Sequence, residues 1–221
     1  MNIQILPGLK GAKKAKGITV IIDVFRASTT ILAILQQGAK NIIPVKSIEQ
    51  ALLFKKQDSS CILVGERNGK KISQFDYGNS PATMISLNLD KKSIVLSTSS
   101  GTKGICDATY SSETLIAGFA NISKVILYIK NKNPDQLSLV PMGLNATTPA
   151  IEDDLCAKLI RKRLQNRSVH YQEYIKPIMN SPGIKRLHNL KQRKDIFYCL
   201  TQDILPKIAL YDKNQKNIKP I

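Results

Sequence analysis

The chain has 221 residues, of which 43% are hydrophobic, and its 33 Lys and Arg against 16 Asp and Glu give a formal net charge of +17. This balance supports a buried core and excludes a disordered chain. The longest apolar runs, such as Ile18–Val24, are too short to span a bilayer, and the N-terminus has no signal-peptide pattern. We therefore expect a cytoplasmic protein with no membrane partner.

Apolar runs rich in β-branched residues alternate with helical segments in the first half of the chain. Ile18–Val24 predicts a buried strand, and Thr30–Gln37 predicts a helix that ends at Gly38. The next predicted elements are a strand at Ile42–Val45, a helix at Ile48–Lys56, and strands at Cys61–Val64 and Lys92–Thr98.

The second half continues the alternation. Helices are predicted at Gly101–Ala108, Ile122–Lys132, Ile151–Gln165 and Asp195–Gln202, and strands at Thr114–Ala117 and Gln136–Pro141. The segment Asn166–Arg193 and the tail after Pro206 are polar. This order predicts an α/β fold with three α/β/α layers and a largely parallel or mixed sheet. We expect one unit over residues 1–221, with two subdomains at about 1–110 and 111–221 as the alternative.

Charge and cysteine placement narrow the function. Lys158–Lys194 holds eleven Lys or Arg and one acid, Glu173, and we expect this segment to border or steer a small anionic substrate. A solvated helix face and a nucleic-acid surface are the alternatives. Only 5% of the residues are aromatic and Trp is absent, so base-stacking platforms are few. The four cysteines form no CxxC pair and there are two histidines, so we expect reduced, buried thiols and no zinc site.

Polar groups collect where the predicted strands end, which is where ligands bind in open α/β sheets. Asp23 ends the first strand, and a metal or an arginine would compensate its buried charge. Arg26 offers a planar fork to an oxyanion, and the hydroxyls of Ser28–Thr30 precede a helix, at an end that favours anions. An ordinary helix cap beside a partnered Asp is the alternative for this loop.

Two later segments have related chemistry. Thr98–Thr102 (TSSGT) combines small residues with hydroxyls, so that its backbone and side chains can approach an oxyanion. The cluster Glu152–Asp154 opens a long helix, and three acids in a basic chain indicate a site for a hard cation such as Mg²⁺. Favourable interaction with the helix dipole is the alternative for this cluster.

The best-known signatures of phosphate-binding enzymes do not fit this chain. Cys61 and Arg67 have the C-x5-R spacing of cysteine-dependent phosphatases, but Ile62–Val64 between them predicts a strand, and Glu66 would repel phosphate. Neither a GxxxxGK[ST] loop nor a DxDxT motif occurs. No covalent nucleophile is therefore evident in the chain.

Six short stretches, in this order, resemble the 2-phosphosulfolactate phosphatase family of coenzyme M biosynthesis. They are Ile22–Thr30 (IDVFRASTT), Gly65–Arg67 (GER), Phe75–Pro81 (FDYGNSP), Ser97–Thr102 (STSSGT), Gly118–Asn121 (GFAN) and Glu152–Ala157 (EDDLCA). The resemblance extends from residue 18 to about 160, and the tail Asp195–Pro206 is similar to the C-terminal end of the family. Two residues depart from its pattern: Ser100 replaces the usual Asn, and Lys158 replaces a common Gly.

The resemblance implies an α/β enzyme that uses Mg²⁺ to hydrolyse a phosphate ester beside a sulfonate and a carboxylate. Because no covalent nucleophile is evident, we favour attack by metal-activated water. We expect Asp23, Glu66 and Asp153 to bind the metal, with Asp76 and Asp154 as alternates, and a carboxylate released from the metal to act as general base. The expected catalytic residues are Asp23, Arg26, Glu66 and Asp153. The expected substrate-binding residues are Ser28, Thr29, Thr30, Arg67, Asn79, Ser80, Ser99, Ser100, Gly101 and Thr102.

Two other functions stay open at this stage. One is a phosphatase of another small phosphate ester on the same scaffold, and the other is a non-enzymatic basic protein that binds nucleic acid. The expected partner is a small anionic molecule, nucleic acid is not expected, and a homodimer remains open beside a monomer.

Overall fold

The computed structural model describes all 221 residues. Its ten strands are β1 (Asn2–Ile5), β2 (Gly17–Ile22), β3 (Asn41–Pro44), β4 (Ile62–Arg67), β5 (Lys70–Lys71), β6 (Ser93–Ser97), β7 (Ser111–Ala117), β8 (Gln136–Pro141), β9 (Ala209–Asp212) and β10 (Asn217–Pro220). Its ten α-helices are α1 (Gly8–Lys14), α2 (Ala27–Gln36), α3 (Ile48–Gln57), α4 (Pro81–Ile85), α5 (Gly101–Asp107), α6 (Ile122–Lys132), α7 (Ile151–Leu164), α8 (Tyr171–Met179), α9 (Pro182–Asn189) and α10 (Arg193–Leu200). A 3₁₀ helix spans Phe119–Asn121.

All ten strands join one mixed sheet in the order β1-β8-β2-β7-β9-β10-β3-β6-β4-β5. Strands β1, β8, β2 and β7 pair in parallel, and so do β3, β6 and β4. The C-terminal hairpin β9–β10 lies between these two parallel groups and pairs antiparallel with β7 and β3. The last strands of the chain therefore connect the two halves of the sheet.

Helices cover both faces of the sheet, because successive side chains of a strand point to opposite faces. On β2, Val20 and Ile22 pack into one core cluster and Ile21 packs into the other. The first cluster is completed by α6, α7, α8, α9 and α10, and the second by α1, α2, α4 and α5. The prediction of a three-layer α/β fold with a mixed sheet is confirmed.

Three regions differ from the sequence-based prediction. The N-terminus forms β1 and α1, and the polar tail after Pro206 forms β9 and β10. The segment Asn166–Arg193 forms α8 and α9, whose apolar residues Ile175, Ile178 and Leu187 are buried in the first core cluster. Each of these elements is short, with nine residues at most. Helices α8 and α9 are amphipathic, but their single apolar face lies among many polar residues, so the composition of the segment as a whole is polar.

Strands from both halves of the chain alternate in the sheet, since β2 lies between β8 and β7. A division at about residue 110 therefore does not correspond to a break in the sheet. None of the helices has the length and apolar character that crossing a membrane requires.

Candidate active site

A cavity opens at the carboxyl ends of β2, β4, β6 and β8. Together with the open solvent at its mouth, the cavity has a volume of about 500 Å³. Polar and charged residues dominate the wall: Asp23, Arg26, Glu66, Asn68, Asn79, Ser99, Ser100, Asn145, Glu152, Asp153 and Arg186 line it, together with Phe25, Gly69, Gly143, Leu144, Ala150 and Leu187.

Asp23 follows β2 and has its carboxylate at the base of the cavity. The loop is held by its own hydrogen bonds: Asp23 Oδ1 accepts from the Ala27 N–H at 3.2 Å, and the Asp23 N–H donates to Ser28 Oγ at 3.0 Å. Burial raises the pKa of Asp23 to about 6, and the negative charge of Glu66 adds to this rise. Asp23 can therefore take up or release a proton near neutral pH.

Asp153 and Glu152 reach the same cavity from the first turn of α7. Asp153 accepts from the N–H groups of Val24 and Gly143, each at 2.8 Å, so one carboxylate connects the loops after β2 and β8. Burial raises the pKa of Asp153 well above its usual range, and the charges of Asp23 and Glu152 raise it further. The carboxylates in the cavity thus oppose one another electrostatically.

Glu66, near the end of β4, organises the next two loops. Its Oε1 accepts from the Ser99 N–H at 2.7 Å, and its Oε2 accepts from the Gly69 N–H at 2.6 Å and from Ser99 Oγ at 3.2 Å. Glu66 therefore fixes the loop after β6 against the turn that follows β4.

Asn79 brings a buried polar group without a protein partner. The residue is 3% exposed, it lines the cavity, and its Oδ1 has no hydrogen-bond partner. A buried polar atom without a partner is costly, so Asn79 is a position where a bound ligand would gain a hydrogen bond.

Two arginines line the cavity, and their surroundings differ. Arg26 donates to Asp195 Oδ2 at 2.7 Å, to the Gly69 carbonyl at 2.9 Å and to Gln192 Oε1. Arg186, on α9, donates to the Phe25 carbonyl at 3.2 Å and takes part in no salt bridge. The Arg26 charge is thus neutralised within the protein, whereas the Arg186 charge is available to a ligand.

Comparison with known proteins identifies the family to which these elements belong. The sequence profile described as 2-phosphosulpholactate phosphatase matches residues 5–214. A protein of Thermotoga petrophila named "probable 2-phosphosulfolactate phosphatase" is 36% identical over 202 residues, 86% of each chain. Proteins with the same name are 30% identical in Thermoplasma volcanium, over 95% of each chain, and 36% identical in Carboxydothermus hydrogenoformans, over 93% of this chain and 91% of the relative.

The chain belongs to the 2-phosphosulfolactate phosphatase family. The resemblance seen in the sequence motifs is confirmed, and the match is longer than those motifs, since it includes α8, α9 and α10. The family is one of phosphoric monoester hydrolases.

For this family member, the structure brings together only part of the predicted site. Of the predicted residues, Asp23, Arg26, Glu66, Asn79, Ser99, Ser100 and Asp153 line the cavity, and Ser28, Thr29, Thr30, Arg67, Ser80, Gly101 and Thr102 do not. The alternates Asp76 and Asp154 also lie outside it.

The predicted residues outside the cavity have other uses in the fold. The Arg67 guanidinium bonds to Ser97 Oγ at 2.8 Å and to the carbonyl of Glu66 at 2.7 Å, so it is occupied within β4 and β6. Thr102 exchanges hydrogen bonds with Thr98. A further set has purely internal contacts: Ser28 accepts from the Asp23 N–H, Thr29 donates to the Val24 carbonyl, Ser80 donates to Asp195, and Asp76 accepts from the Leu63 N–H.

Sequence reasoning missed Arg186 and Asp195, and it passed over Glu152 within the acidic cluster. Ser181 followed by Pro182 is a helix-start pattern, and in the structure Ser181 caps α9 by accepting from the Ile184 N–H. That pattern could have predicted α9. The entry of Arg186 into the cavity has no sequence signal, because it depends on how α9 packs.

The predicted Mg²⁺ can be tested against the donor groups present. The protein has no group of three or more His, Cys, Asp or Glu side chains placed together to hold a metal ion. Mg²⁺ needs only one or two carboxylates, with water and phosphate oxygens as its other ligands. Asp23 and Asp153 are buried and repel each other, and their oxygen chemistry fits such a cation.

The cysteine-phosphatase spacing has a structural explanation. Cys61 is buried, directly precedes β4 and does not line the cavity. Burial raises the pKa of its thiol, whereas a nucleophilic cysteine needs a lowered pKa. In this family member, Cys61 and Arg67 therefore do not form a phosphate loop.

Proposed function

We propose that the chain hydrolyses 2-phosphosulfolactate to sulfolactate and phosphate, with Mg²⁺ as cofactor. The proposal rests on one observation. Two buried carboxylates, Asp23 and Asp153, line the same cavity at the carboxyl edge of the sheet and repel each other electrostatically. The names of the relatives give the substrate, and the size and polarity of the cavity agree with a small anionic molecule.

In this proposal, Asp23 accepts the proton from the attacking water. In the metal-free protein the pKa of Asp23 is about 6, so the Asp23 carboxylate, when it is released from the metal, is basic enough to accept a proton from an attacking water. Asp153 lies beside it and, through its hydrogen bonds to Val24 and Gly143, holds the loops after β2 and β8 in register. In this scheme Asp23 acts as general base.

Mg²⁺ would be held by Asp23 and Asp153, and when bound it supplies Lewis-acid stabilisation of the charge on the phosphoryl group. Glu66 is also a candidate ligand; like the two oxygens of Asp153, both of its oxygens already accept hydrogen bonds from backbone N–H groups of neighbouring loops. Asn79 Oδ1, an acceptor without a protein partner, is available to a cation, a water molecule or a hydroxyl donor in the cavity.

A panel of phosphate esters tests the proposal. The purified protein is treated with EDTA, and release of phosphate from 2-phosphosulfolactate, 2-phospholactate and β-glycerophosphate is measured with and without added Mg²⁺. We expect 2-phosphosulfolactate to have the highest kcat/KM, and EDTA to abolish turnover. No phosphate release from any ester contradicts the function, and full activity in EDTA contradicts the cofactor.

Matched variants separate the site from its surroundings. Asp23→Asn and Asp153→Asn should each lower kcat by about two or more orders of magnitude. Asp154→Asn removes the same charge from the next residue of α7, which lies outside the cavity, and should stay within a few-fold of wild type. Equal losses in all three variants would contradict the assigned roles.

A further inference from the structure

A substrate that carries further acids besides its phosphate presents more than one anionic group to the cavity. The cavity lining contains no lysine and no histidine, so Arg26 and Arg186 are its only side-chain cations. The Arg26–Asp195 pair is buried, with side-chain exposures of 3% and 2%. A guanidinium already paired with a carboxylate contributes little net charge to a ligand.

Arg186 is the cation that remains. Its guanidinium has one hydrogen bond within the protein, to the Phe25 carbonyl, and it carries five N–H donors. The positive charge of Arg186 acts within the cavity: it lowers the pKa of Asp23 and of Glu152, whereas burial raises both. Arg186 therefore presents unused donors and an unpaired charge to the cavity.

Close packing fixes the position of α9. A Cβ atom at Gly183 would lie 2.6 Å from Glu152 Oε1 and 2.8 Å from the Phe25 ring, so α9 lies directly against the first turn of α7 and the loop after β2. Leu187, next to Arg186, is 1% exposed and belongs to the core. The helix that carries Arg186 is thus held firmly at the cavity wall.

We propose that Arg186 binds the carboxylate or sulfonate on the carbon skeleton of the substrate, and so selects phosphate esters that carry a further acid. This inference rests on the proposed function and adds the residue that sets substrate class. The reacting phosphate has to lie near Asp23 and Asp153 at the strand ends, whereas Arg186 comes from a helix at the wall. A planar guanidinium suits an oxyanion that is bound through two oxygens.

The test compares three esters of secondary alcohols that carry different numbers of acids besides the phosphate. In Arg186→Gln, kcat/KM should fall roughly 10- to 100-fold for 2-phosphosulfolactate and for 2-phospholactate. For β-glycerophosphate, which has no acid besides its phosphate, it should change less than about threefold. Arg186→Lys should recover part of the loss, since it keeps the charge and loses the fork.

Lys185→Gln is the matched control, because it removes one charge from the neighbouring exposed position of α9. It should leave all three esters unchanged. Equal loss on all esters in Arg186→Gln would overturn the inference and assign Arg186 to the phosphate or to the fold, and an unchanged preference would also overturn it. Melting temperatures of each variant identify a folding defect.

Direct binding gives an answer that is independent of turnover. In calorimetry, Arg186→Gln should weaken the binding of sulfolactate roughly 10- to 100-fold and leave the binding of inorganic phosphate unchanged. If the wild type hydrolyses none of the esters, the proposed function fails, and the binding comparison still decides the role of Arg186. If it hydrolyses them and the variant loses phosphate and sulfolactate binding equally, only the role of Arg186 fails.

Discussion

Arg26, in the loop after β2, and Asp195, in the first turn of α10, form a buried salt bridge with an N–O distance of 2.7 Å, although 169 residues separate them. The same carboxylate accepts hydrogen bonds from Ser80 Oγ at 2.6 Å and from the Ala82 N–H at 3.1 Å. One acid near the C-terminus therefore ties the loop after β2 to the start of α4. The C-terminal helices α8, α9 and α10 contribute to the core, and α9 also supplies Arg186 and Leu187 to the wall of the cavity.

Asp195→Ala should destabilise the fold by about 3–5 kcal/mol, because it leaves the Arg26 charge buried without a partner. Urea unfolding measures the loss, and Asp135→Ala, at an exposed position, should change the free energy of unfolding by less than about 0.5 kcal/mol. The double variant Arg26→Met/Asp195→Leu should be more stable than Asp195→Ala. A loss below about 1 kcal/mol in Asp195→Ala would show that water or a rearranged side chain replaces the pair.

Asp23→Asn should remove activity and yet stabilise the metal-free protein at neutral pH. The pKa of Asp23 is about 6 in the folded state, above the value of about 3.9 for an unfolded chain. The folded state therefore binds the Asp23 proton more tightly than the unfolded chain does. The resulting stabilisation of the fold is complete below about pH 4 and is lost as the pH rises through 6. The free energy of unfolding of the wild type should fall by on the order of 2–3 kcal/mol over this pH window, and that of the variant should not.

Unfolding of EDTA-treated wild type and Asp23→Asn at pH 4, 5, 6, 7 and 8 measures this difference. The gap between the two proteins should widen in favour of the variant as the pH rises. A gap that is constant with pH would contradict the raised pKa. Added Mg²⁺ should stabilise the wild type at pH 7 and have a smaller effect on the variant, since ligand binding to the folded state raises apparent stability.

Cys61→Ser should keep kcat and KM within a few-fold of wild type. Cys61 is buried beside β4, outside the cavity, and its thiol has a raised pKa, so it acts as a small apolar side chain. The change should appear in stability rather than in turnover. A variant that melts like the wild type and has no activity would revive a cysteine nucleophile.

The position of the C-terminal hairpin predicts that its buried residues stabilise the whole sheet. Ile218 on β10 is fully buried and pairs with Ile42 of β3, so Ile218→Ala should cost about 2–5 kcal/mol. Ile221, three residues later, is 56% exposed, and Ile221→Ala should cost less than about 0.5 kcal/mol. Thermal or urea unfolding of the two variants compares them directly, and equal losses would mean that the hairpin does not connect the two parallel groups.

The sequence predicted the parts of the fold whose residues are buried on both faces. Strand β2, with five of its six residues buried, is a continuous β-branched run, whereas β10 has one apolar residue, Ile218, between polar neighbours. The order of strands and helices was enough to predict that Asp23, Glu66 and Ser99 meet at one edge of the sheet. Which polar groups face the cavity depends on tertiary contacts: Arg67 turns to Ser97, while Arg186 reaches the cavity because of how α9 packs against Glu152 and Phe25.

The basic end of α7 provides a test of long-range steering. Helix α7 begins with the acids of the cavity and ends with Arg161, Lys162 and Arg163, so Arg163 is about 15 Å along the helix from Asp153. None of the three cations lines the cavity. The Debye length is about 30 Å at 0.01 M salt and about 8 Å at 0.15 M, so their field reaches the substrate path only at low salt.

Neutralising all three, as Arg161→Gln/Lys162→Gln/Arg163→Gln, should therefore lower kcat/KM for 2-phosphosulfolactate about two- to tenfold in 0.01 M salt. In 0.15 M salt the loss should disappear, and kcat should hold at both concentrations because the variant does not touch the reacting groups. Duplex DNA binding, measured on the same two proteins at 0.15 M salt, distinguishes steering of a small anion from nucleic-acid binding. Submicromolar binding by the wild type that the triple variant loses would make this surface a nucleic-acid site, whereas a salt-dependent loss in kcat/KM without duplex binding supports steering of a small anion.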